Sequence, residues 1–372
     1  ADLFIIPGRQ PALFHGVMER EEAAKTGYEL VSYSRYPLLD FLNMTEGNML
    51  QANALRYKKM FEDIGLTRGN ILLYGNREVG PFYSLVRELE DLLPEIHFKG
   101  DYDDAIILEA RATKDKAELE EIRKMGKITT GVVQRVQDFL SSHNVVDQTL
   151  VKVDGSPLTI GNVKSLIDLW LAEAGAENPE TTIFAIGRDA GIPHSSGTPT
   201  DPIQLGKSIV FDIFPCQAAG GYFYDFTRTW CLGYAPDEVQ LAYDHVKQVY
   251  DQVASELELG AQASIYQDRT CELFESMGHE TIRQNQAVEE GYIHSVGHGL
   301  GLNIHEKPWL GRQPDPNNIL RIGSVFTIEP GLYYPSQGFG VRLEDSWYVK
   351  EDGSFEKFVD FPMELVVPMK GG

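Results

Sequence analysis

Four acidic residues lie inside two strongly apolar segments of the chain, and their placement constrains the fold more than any other sequence feature. Asp212 and Asp225 belong to the first segment, and Glu329 and Glu344 belong to the second. A carboxylate within an apolar strand is costly unless a partner neutralises it. The fold must therefore provide these four acids with partners.

Each segment has the pattern of a β-hairpin. The glycine-rich stretch 217–221 separates the two aspartates symmetrically, and the stretch 335–338 separates the two glutamates in the same way. In a symmetric hairpin the two acids face each other, and facing residues share one side of the sheet. Because buried like charges are unfavourable without cations, the two hairpins together predict a cation site. Surface hairpins with salt-bridged acids are the alternative for either segment alone.

A histidine-rich segment lies between the two hairpins. His294, His298 and His305 are three of the nine histidines in the chain, and glycines at 297, 299 and 301 allow the backbone to approach a site closely. Neutral imidazole is a good ligand for transition metals, and carboxylates complete such a ligand set. The combination therefore favours a metal centre. A lone histidine would more often be a core or surface residue.

Together, the three segments resemble the pita-bread metallopeptidase family, which includes methionine aminopeptidase, aminopeptidase P, prolidase and the metal-free creatinase. The resemblance covers about residues 113–367 and is carried by the motifs G-H-G-L-G-L-N-I-H-E, T-I-E-P-G-L-Y and V-R-L-E-D. It implies two divalent metal ions, with manganese favoured and cobalt or zinc as alternatives. It also implies five metal ligands, which are Asp212, Asp225, His298, Glu329 and Glu344. Of these, Asp225 and Glu344 would bridge the two ions.

The same resemblance implies roles for residues around the metals. Glu329 would transfer a proton, His305 would stabilise an oxyanion, and His294 and His194 would line the substrate cleft. Arg342 would hold a carboxylate or brace the cleft, and Tyr333 would shape the apolar pocket for a proline ring, with simple hairpin packing as the alternative for both. The sequence departs from the family at Asp212-Ile-Phe, where the family usually has Asp-x-Gly, so the local shape of that wall is expected to differ.

Two domains are predicted, an α/β domain at 1–110 that is similar to the creatinase N-terminal domain and an α+β domain at 111–372 with the pita-bread (creatinase/aminopeptidase) fold. In the first, short apolar runs alternate with helical patterns, which is typical of α/β structure. In the second, strands with helices between them favour a mostly antiparallel sheet. The predicted helices are 54–64, 83–93, 119–139, 158–174, 237–259 and 265–277, and the predicted strands are 71–74, 182–186, 208–214, 222–230, 325–328 and 341–349.

Charge and cysteine content exclude several classes of function. The net charge of -22 disfavours nucleic acid and anionic membrane surfaces as partners. Three cysteines without a C-x-x-C pair favour a reducing compartment, and we expect a cytoplasmic protein. No apolar run approaches the roughly 18 residues that span a bilayer, and the first ten residues lack the features of a signal peptide.

These observations predict a proline-specific metallo-exopeptidase that hydrolyses the Xaa-Pro bond at the N-terminus of peptides or dipeptides with a metal-bridging hydroxide. The N-terminal domain favours aminopeptidase P or prolidase over methionine aminopeptidase, and the complete ligand set disfavours creatinase. The expected substrate is a small peptide with proline in second position, and the resemblance suggests a homodimer. The alternatives are a broad or methionine-type aminopeptidase and a non-peptidase binding protein or creatinase-like member of the same fold.

Overall fold

The computed structural model describes residues 1–311 and 315–369. The chain forms two compact units, Ala1–Ala105 and Ile106–Gly372. Within the described residues, no helix combines the length and the apolar character that crossing a membrane requires.

The first unit alternates strands and helices. Its strands β1, β2 and β3 form a three-stranded sheet in which β2 runs antiparallel to β1 and parallel to β3, and β4 and β5 form a parallel pair. The helix predicted at 54–64 is the second half of α3, which begins after the side chain of Asn48 caps its first turn. The elements are β1 (Asp2–Phe4), β2 (Ala12–His15), α1 (Arg20–Ala24), β3 (Glu29–Ser32), α2 (Leu38–Met44), α3 (Met49–Asp63), β4 (Gly69–Leu73), α4 (Val79–Leu92) and β5 (Ile96–Gly100).

The second unit contains a four-stranded and a five-stranded sheet, and nearly all of its strand pairs are antiparallel, as predicted. Its helices are α5 (Ala105–Arg111, which begins at the unit boundary), α6 (Lys116–Ser141), α7 (Ile160–Glu173), α8 (Asp237–Ser255) and α9 (Ile265–Ser276). Its strands are β6 (Asn144–Val146), β7 (Thr149–Val151), β8 (Ala176–Glu177), β9 (Ile183–Ile186), β10 (Ser208–Ile213), β11 (Cys216–Gln217), β12 (Phe226–Leu232), β13 (His298–Gly299), β14 (Glu306–Trp309), β15 (Val325–Ile328), β16 (Gly331–Tyr334), β17 (Phe339–Arg342), β18 (Asp345–Val349), β19 (Phe355–Lys357) and β20 (Val366–Val367).

Helix α6 shows how local sequence sets the framework of this unit. Asp115 caps the helix by accepting hydrogen bonds from the first backbone N–H groups, and Glu118 bonds back to the N–H of Asp115 to complete a capping box. The apolar stripe of the helix, with Ile122 and Val136, is fully buried in the core of the unit. Gly126 allows close packing, because a Cβ at this position would lie 2.7 Å from the ring of Tyr224.

The first acidic hairpin has a different register from the one predicted. Asp212 pairs with Thr227 rather than with Asp225, so the prediction was wrong by two residues. The cause is the turn, in which Ala219 and Gly220 both have positive φ and therefore form the centre of the hairpin. Since side chains alternate with a period of two, Asp225 still lies on the same side of the hairpin as Asp212.

The second acidic hairpin has the predicted register. Ile328 pairs with Asp345 on one side of the glutamates, and Gly331 pairs with Arg342 on the other. Glu329 and Glu344 fall opposite each other where the ladder is interrupted between these two stretches. The strand predicted at 341–349 is accordingly divided into β17 and β18.

Candidate active site

Four of the predicted metal ligands come together at the ends of strands: Asp225 comes just before β12, His298 lies in β13, Glu329 follows β15, and Glu344 comes just before β18. Asp225, His298 and Glu344 each offer a ligand atom, and these atoms all lie within 4.8 Å of one another. Glu329 joins this group, because its Oε1 lies 3.5 Å from Nε2 of His298, as does Oδ2 of Asp225. The fifth predicted ligand, Asp212, is close enough for its charge to raise the pKa of Asp225.

Three carboxylate oxygens in this cluster have no hydrogen-bond partner among the described residues. They are Oδ1 of Asp212, Oδ1 of Asp225 and Oε1 of Glu344, and all three are buried. Burial, and then repulsion by nearby carboxylates, raises the pKa of Asp225 and of Glu344 well above the usual range, and burial also raises the pKa of Glu329. Buried, unpaired and mutually repelling carboxylates are the donor set that divalent cations neutralise. The residues therefore fit a metal centre.

The second oxygen of two ligands is fixed by a neighbour, which orients the unpaired oxygen. Asp212 Oδ2 accepts a 2.6 Å hydrogen bond from Arg342, and Glu344 Oε2 accepts a 2.7 Å bond from the hydroxyl of Thr227. In His298, Nδ1 lies 3.0 Å from the carbonyl oxygen of Gly299, so that Nδ1–H donates and Nε2 keeps a free lone pair. Such outer contacts fix ligand orientation and tautomer at metal sites.

Arg342 is buried beside the predicted ligands and contacts Asp212. Its side chain is 4% exposed and also donates to the hydroxyl of Tyr333 at 2.7 Å and to the carbonyl of Pro193 at 3.3 Å. The sequence predicts that Tyr333 shapes an apolar substrate pocket. In the structure Tyr333 is fully buried, so it belongs to this network and does not form the surface of such a pocket. The structure thus places Arg342 against a predicted ligand, Asp212.

Two further predicted site residues, His294 and His305, differ in how many hydrogen bonds their rings form. His294 uses both ring nitrogens, since Nδ1 lies 2.6 Å from the carbonyl of Ser295 and Nε2 lies 2.8 Å from the hydroxyl of Tyr333. Burial, and then the charge of Arg342, lowers the pKa of His294 to about 3, so the ring is neutral. His294 is half-buried and is joined to Arg342 through Tyr333, and its role in lining the cleft stays a prediction.

His305 lies beside the ligand His298, with 4.3 Å between the ring centroids. It is an exposed residue, and neither ring nitrogen forms a hydrogen bond with another described residue. Partial loss of hydration, and then the neighbouring imidazoles of His298 and His194, lowers the pKa of His305 to about 4. His194 is also exposed. A neutral imidazole with a free N–H is thus available next to the metal ligands.

Gln267 is a buried residue of the site that the sequence did not reveal. From α9, its Oε1 accepts hydrogen bonds from the hydroxyl of Tyr292 at 2.9 Å and from the N–H of Val296 at 2.7 Å, and its amide donates to the carbonyl of His294 at 3.1 Å. One side chain therefore holds the backbone at His294 and Val296 and the side chain of Tyr292. The only available signal was a glutamine on the apolar side of a helix, which is too common to single out.

Comparison with known proteins supports a common family and fold. The model of metallopeptidase family M24 matches residues 120–351. The chain is 30% identical over 274 residues, or 73% of its length, to a Xaa-Pro dipeptidase from Pyrococcus furiosus. It spans 70% of the length of that relative and 62 to 64% of the length of several others.

Two solved structures show the fold across nearly the whole chain. An X-Pro aminopeptidase from Thermotoga maritima has a TM-score of 0.73 at 22% identity, covering 97% of this chain and 89% of its own. A Xaa-Pro dipeptidase from Bacillus anthracis has a TM-score of 0.74 at 21% identity, covering 97% and 87%. The predicted pita-bread fold is confirmed by these matches.

Proposed function

The chain belongs to metallopeptidase family M24, and on this premise we propose that it cleaves the bond between an N-terminal residue and a following proline. The observation that carries the metallopeptidase activity is the cluster of buried carboxylates with three unpaired oxygens around His298. Specificity for proline is supported by the Pyrococcus furiosus relative, which is named a Xaa-Pro dipeptidase. The substrate would be a dipeptide or short peptide with a free amino terminus.

Two divalent ions would occupy the cluster. We propose that five residues would hold them: Asp212, Asp225, His298, Glu329 and Glu344. Such ions supply a hydroxide nucleophile at neutral pH and polarise the scissile carbonyl. Manganese is the proposed metal, with cobalt or zinc as alternatives. The cytoplasmic location and the homodimer remain predictions from the sequence.

Glu329 is suited to move the proton that the reaction requires. Its Oε1 lies 3.5 Å from Nε2 of His298, so its carboxylate belongs to the cluster at which the water would be activated. Glu329 would accept a proton from the attacking water and deliver it to the prolyl nitrogen. That delivery matters because the nitrogen of a tertiary amide is a poor leaving group until it is protonated.

His305 would stabilise the tetrahedral oxyanion. It is neutral at physiological pH, and its free N–H lies on the side of the cluster where His298 is found. A donor placed where negative charge develops contributes more than one that binds the ground state. Arg342 would hold Asp212 directly and His294 through Tyr333, without contacting the peptide.

A matched peptide panel tests the proposed activity. Metal-stripped protein would be assayed with Ala-Pro, Ala-Ala and Ala-Pro-Ala, and with N-acetylated Ala-Pro-Ala, before and after addition of manganese. We expect metal-dependent cleavage of the Xaa-Pro bond, with kcat/KM for the alanine analogue lower by about 10–200-fold. Glu329→Gln serves as the inactive control.

Each other outcome identifies an alternative. Equal rates for proline and alanine peptides would indicate a broad aminopeptidase, and a preference for methionine at the first position would indicate a methionine-type enzyme. Cleavage of the acetylated peptide would contradict an exopeptidase. Metal binding without hydrolysis of any peptide would favour a binding protein on the same fold.

A further inference from the structure

A buried ion pair lies directly behind His305. The next residue, Glu306, is fully buried, and its Oε2 lies 3.1 Å from Nζ of Lys114, whose side chain is 2% exposed. Lys114 comes just before α6, and it is 192 positions away from Glu306 in the sequence. Ions are rarely buried so completely unless they are paired. This pair therefore joins the start of α6 to the loop that carries His305.

Glu306 also closes the loop on itself. Its Oε1 accepts a 2.9 Å hydrogen bond from the N–H of Asn303, and the guanidinium of Arg111 lies 3.8 Å away. The loop packs tightly around the pair at Gly301, where a Cβ would lie 2.5 Å from Glu306 Oε2 and 3.0 Å from Lys114 Nζ. Both oxygens of Glu306 are thus engaged, and the path of residues 301–306 depends on them.

Two backbone contacts fix the ends of this arrangement. The N–H of Lys114 donates to the carbonyl of Gly323 at 2.8 Å, which holds the lysine backbone near the start of β15. The carbonyl of Gly301 accepts a 2.8 Å bond from the N–H of Phe223, two residues before the ligand Asp225. The loop is therefore connected to the acidic hairpin on one side and to the ion pair on the other.

The ring of His305 has no hydrogen bond of its own among the described residues, so its direction depends on the backbone that carries it. We propose that Lys114 and Glu306 are positioning residues that hold His305 in place for the reaction. This inference rests on the proposed function, because it assumes that His305 acts on the substrate. The ion pair itself has no contact with the peptide in this role.

The test is a double-mutant cycle in the metal-loaded protein. Lys114→Met combined with Glu306→Gln removes both charges, leaves no unpaired buried ion, and keeps an acceptor for the N–H of Asn303. We expect kcat on the best Xaa-Pro peptide to fall by up to about 100-fold, as for a catalytic group that is slightly misplaced, with little change in KM or metal content. In a His305→Ala background, the same pair of changes is expected to cause no further loss.

Controls separate positioning from general damage to the fold. Lys247→Met removes a lysine from an ion pair on the exposed face of α8, and Leu171→Ala removes core packing in α7. Both controls are expected to act equally in the wild-type and His305→Ala backgrounds. Lys114→Arg keeps the charge and is expected to retain most of kcat. If the combined Lys114 and Glu306 changes lower kcat by the same factor in the wild-type and His305→Ala backgrounds, the proposal is overturned.

Hydrogen exchange provides a readout that does not depend on activity. The double variant is expected to exchange faster than wild type at the amides of residues 301–307, with unchanged exchange in α8. If wild type cleaves no peptide, the proposed function fails, and the exchange result alone decides whether the pair holds the loop. Exchange at the wild-type rate in 301–307 would overturn the positioning role in either case.

Discussion

Removing the metal ions is expected to destabilise the second unit in a pH-dependent way. Three buried carboxylate oxygens, on Asp212, Asp225 and Glu344, have no other partner among the described residues. Leaving a buried polar group unsatisfied costs about 1–3 kcal/mol, so the three together cost roughly 3–9 kcal/mol. A unit of roughly 270 residues has an unfolding entropy of about 0.5 kcal/mol per kelvin. The expected fall in Tm is therefore about 5–15 °C.

The pH dependence follows from the raised pKa values of Asp225 and Glu344. In metal-free protein, the folded state keeps these groups protonated after the unfolded chain has ionised them, which begins near pH 4. The folded state then binds more protons than the unfolded chain, so its stability falls as the pH rises. The difference in Tm between metal-loaded and metal-free protein should thus be small at pH 5 and largest at pH 8.

Differential scanning calorimetry of both forms between pH 5 and 8 measures this difference directly. Asp225→Asn combined with Glu344→Gln is the matched control, because neutral amides remove the repulsion. The metal-free form of this variant should be more stable than metal-free wild type at pH 8, and it should not respond to manganese. A difference below about 2 °C at pH 8, or one that does not grow with pH, would refute the idea that these acids are closely packed and unpaired.

Two further substitutions test separate parts of the site. His305→Ala should lower kcat by about 10²–10³-fold with unchanged metal content, because it removes one oxyanion donor; loss of metal at an unchanged rate per bound metal would instead identify His305 as a ligand. Gln267→Met should lower the free energy of unfolding by roughly 2–6 kcal/mol in urea titrations, because the N–H of Val296 and the carbonyl of His294 lose their buried partner. Gln248→Met, on the exposed face of α8, is the control for the second change, and equal stability of the two variants would show that the buried amide contributes nothing.

The sequence was sufficient to predict the second acidic hairpin but not the details of the first. Pro335 and Gly338 mark the turn of the second hairpin, and its symmetry gave the correct register. In the first hairpin the centre of the turn includes Ala219, which adopts a positive φ of 69°. Residues other than glycine rarely adopt this conformation, so the sequence did not mark Ala219 as the first of the two central residues. The prediction centred the turn between Ala218 and Ala219, one residue too early, which displaced the register by two positions. The face shared by Asp212 and Asp225 did not depend on that shift.

Contacts between distant parts of the chain were beyond the reach of local patterns. Lys114 looked like an ordinary charged residue before a helix, and nothing within its own segment indicates that it pairs with Glu306. Similarly, the ring of Tyr333 was expected at the substrate pocket and is instead fully buried, because a sequence pattern gives the side of a strand but not how deeply the strand is buried. Only the packing of several sheets determines that depth.

The register of the second hairpin is the same on both sides of the break in its ladder, and this has a consequence for how the hairpin's length can change. Residues inserted at the exposed turn positions Ser336 and Gln337 would lengthen the loop and leave the pairing on both sides intact. A single residue inserted within β17 would instead turn Arg342 and everything after it to the opposite face of the strand. Glu344 would then leave the ligand cluster, although it lies about 20 Å along the strand from the turn. This turn is consequently a suitable place to graft a foreign peptide or an affinity tag, whereas the arms that lead to it do not tolerate changes in length.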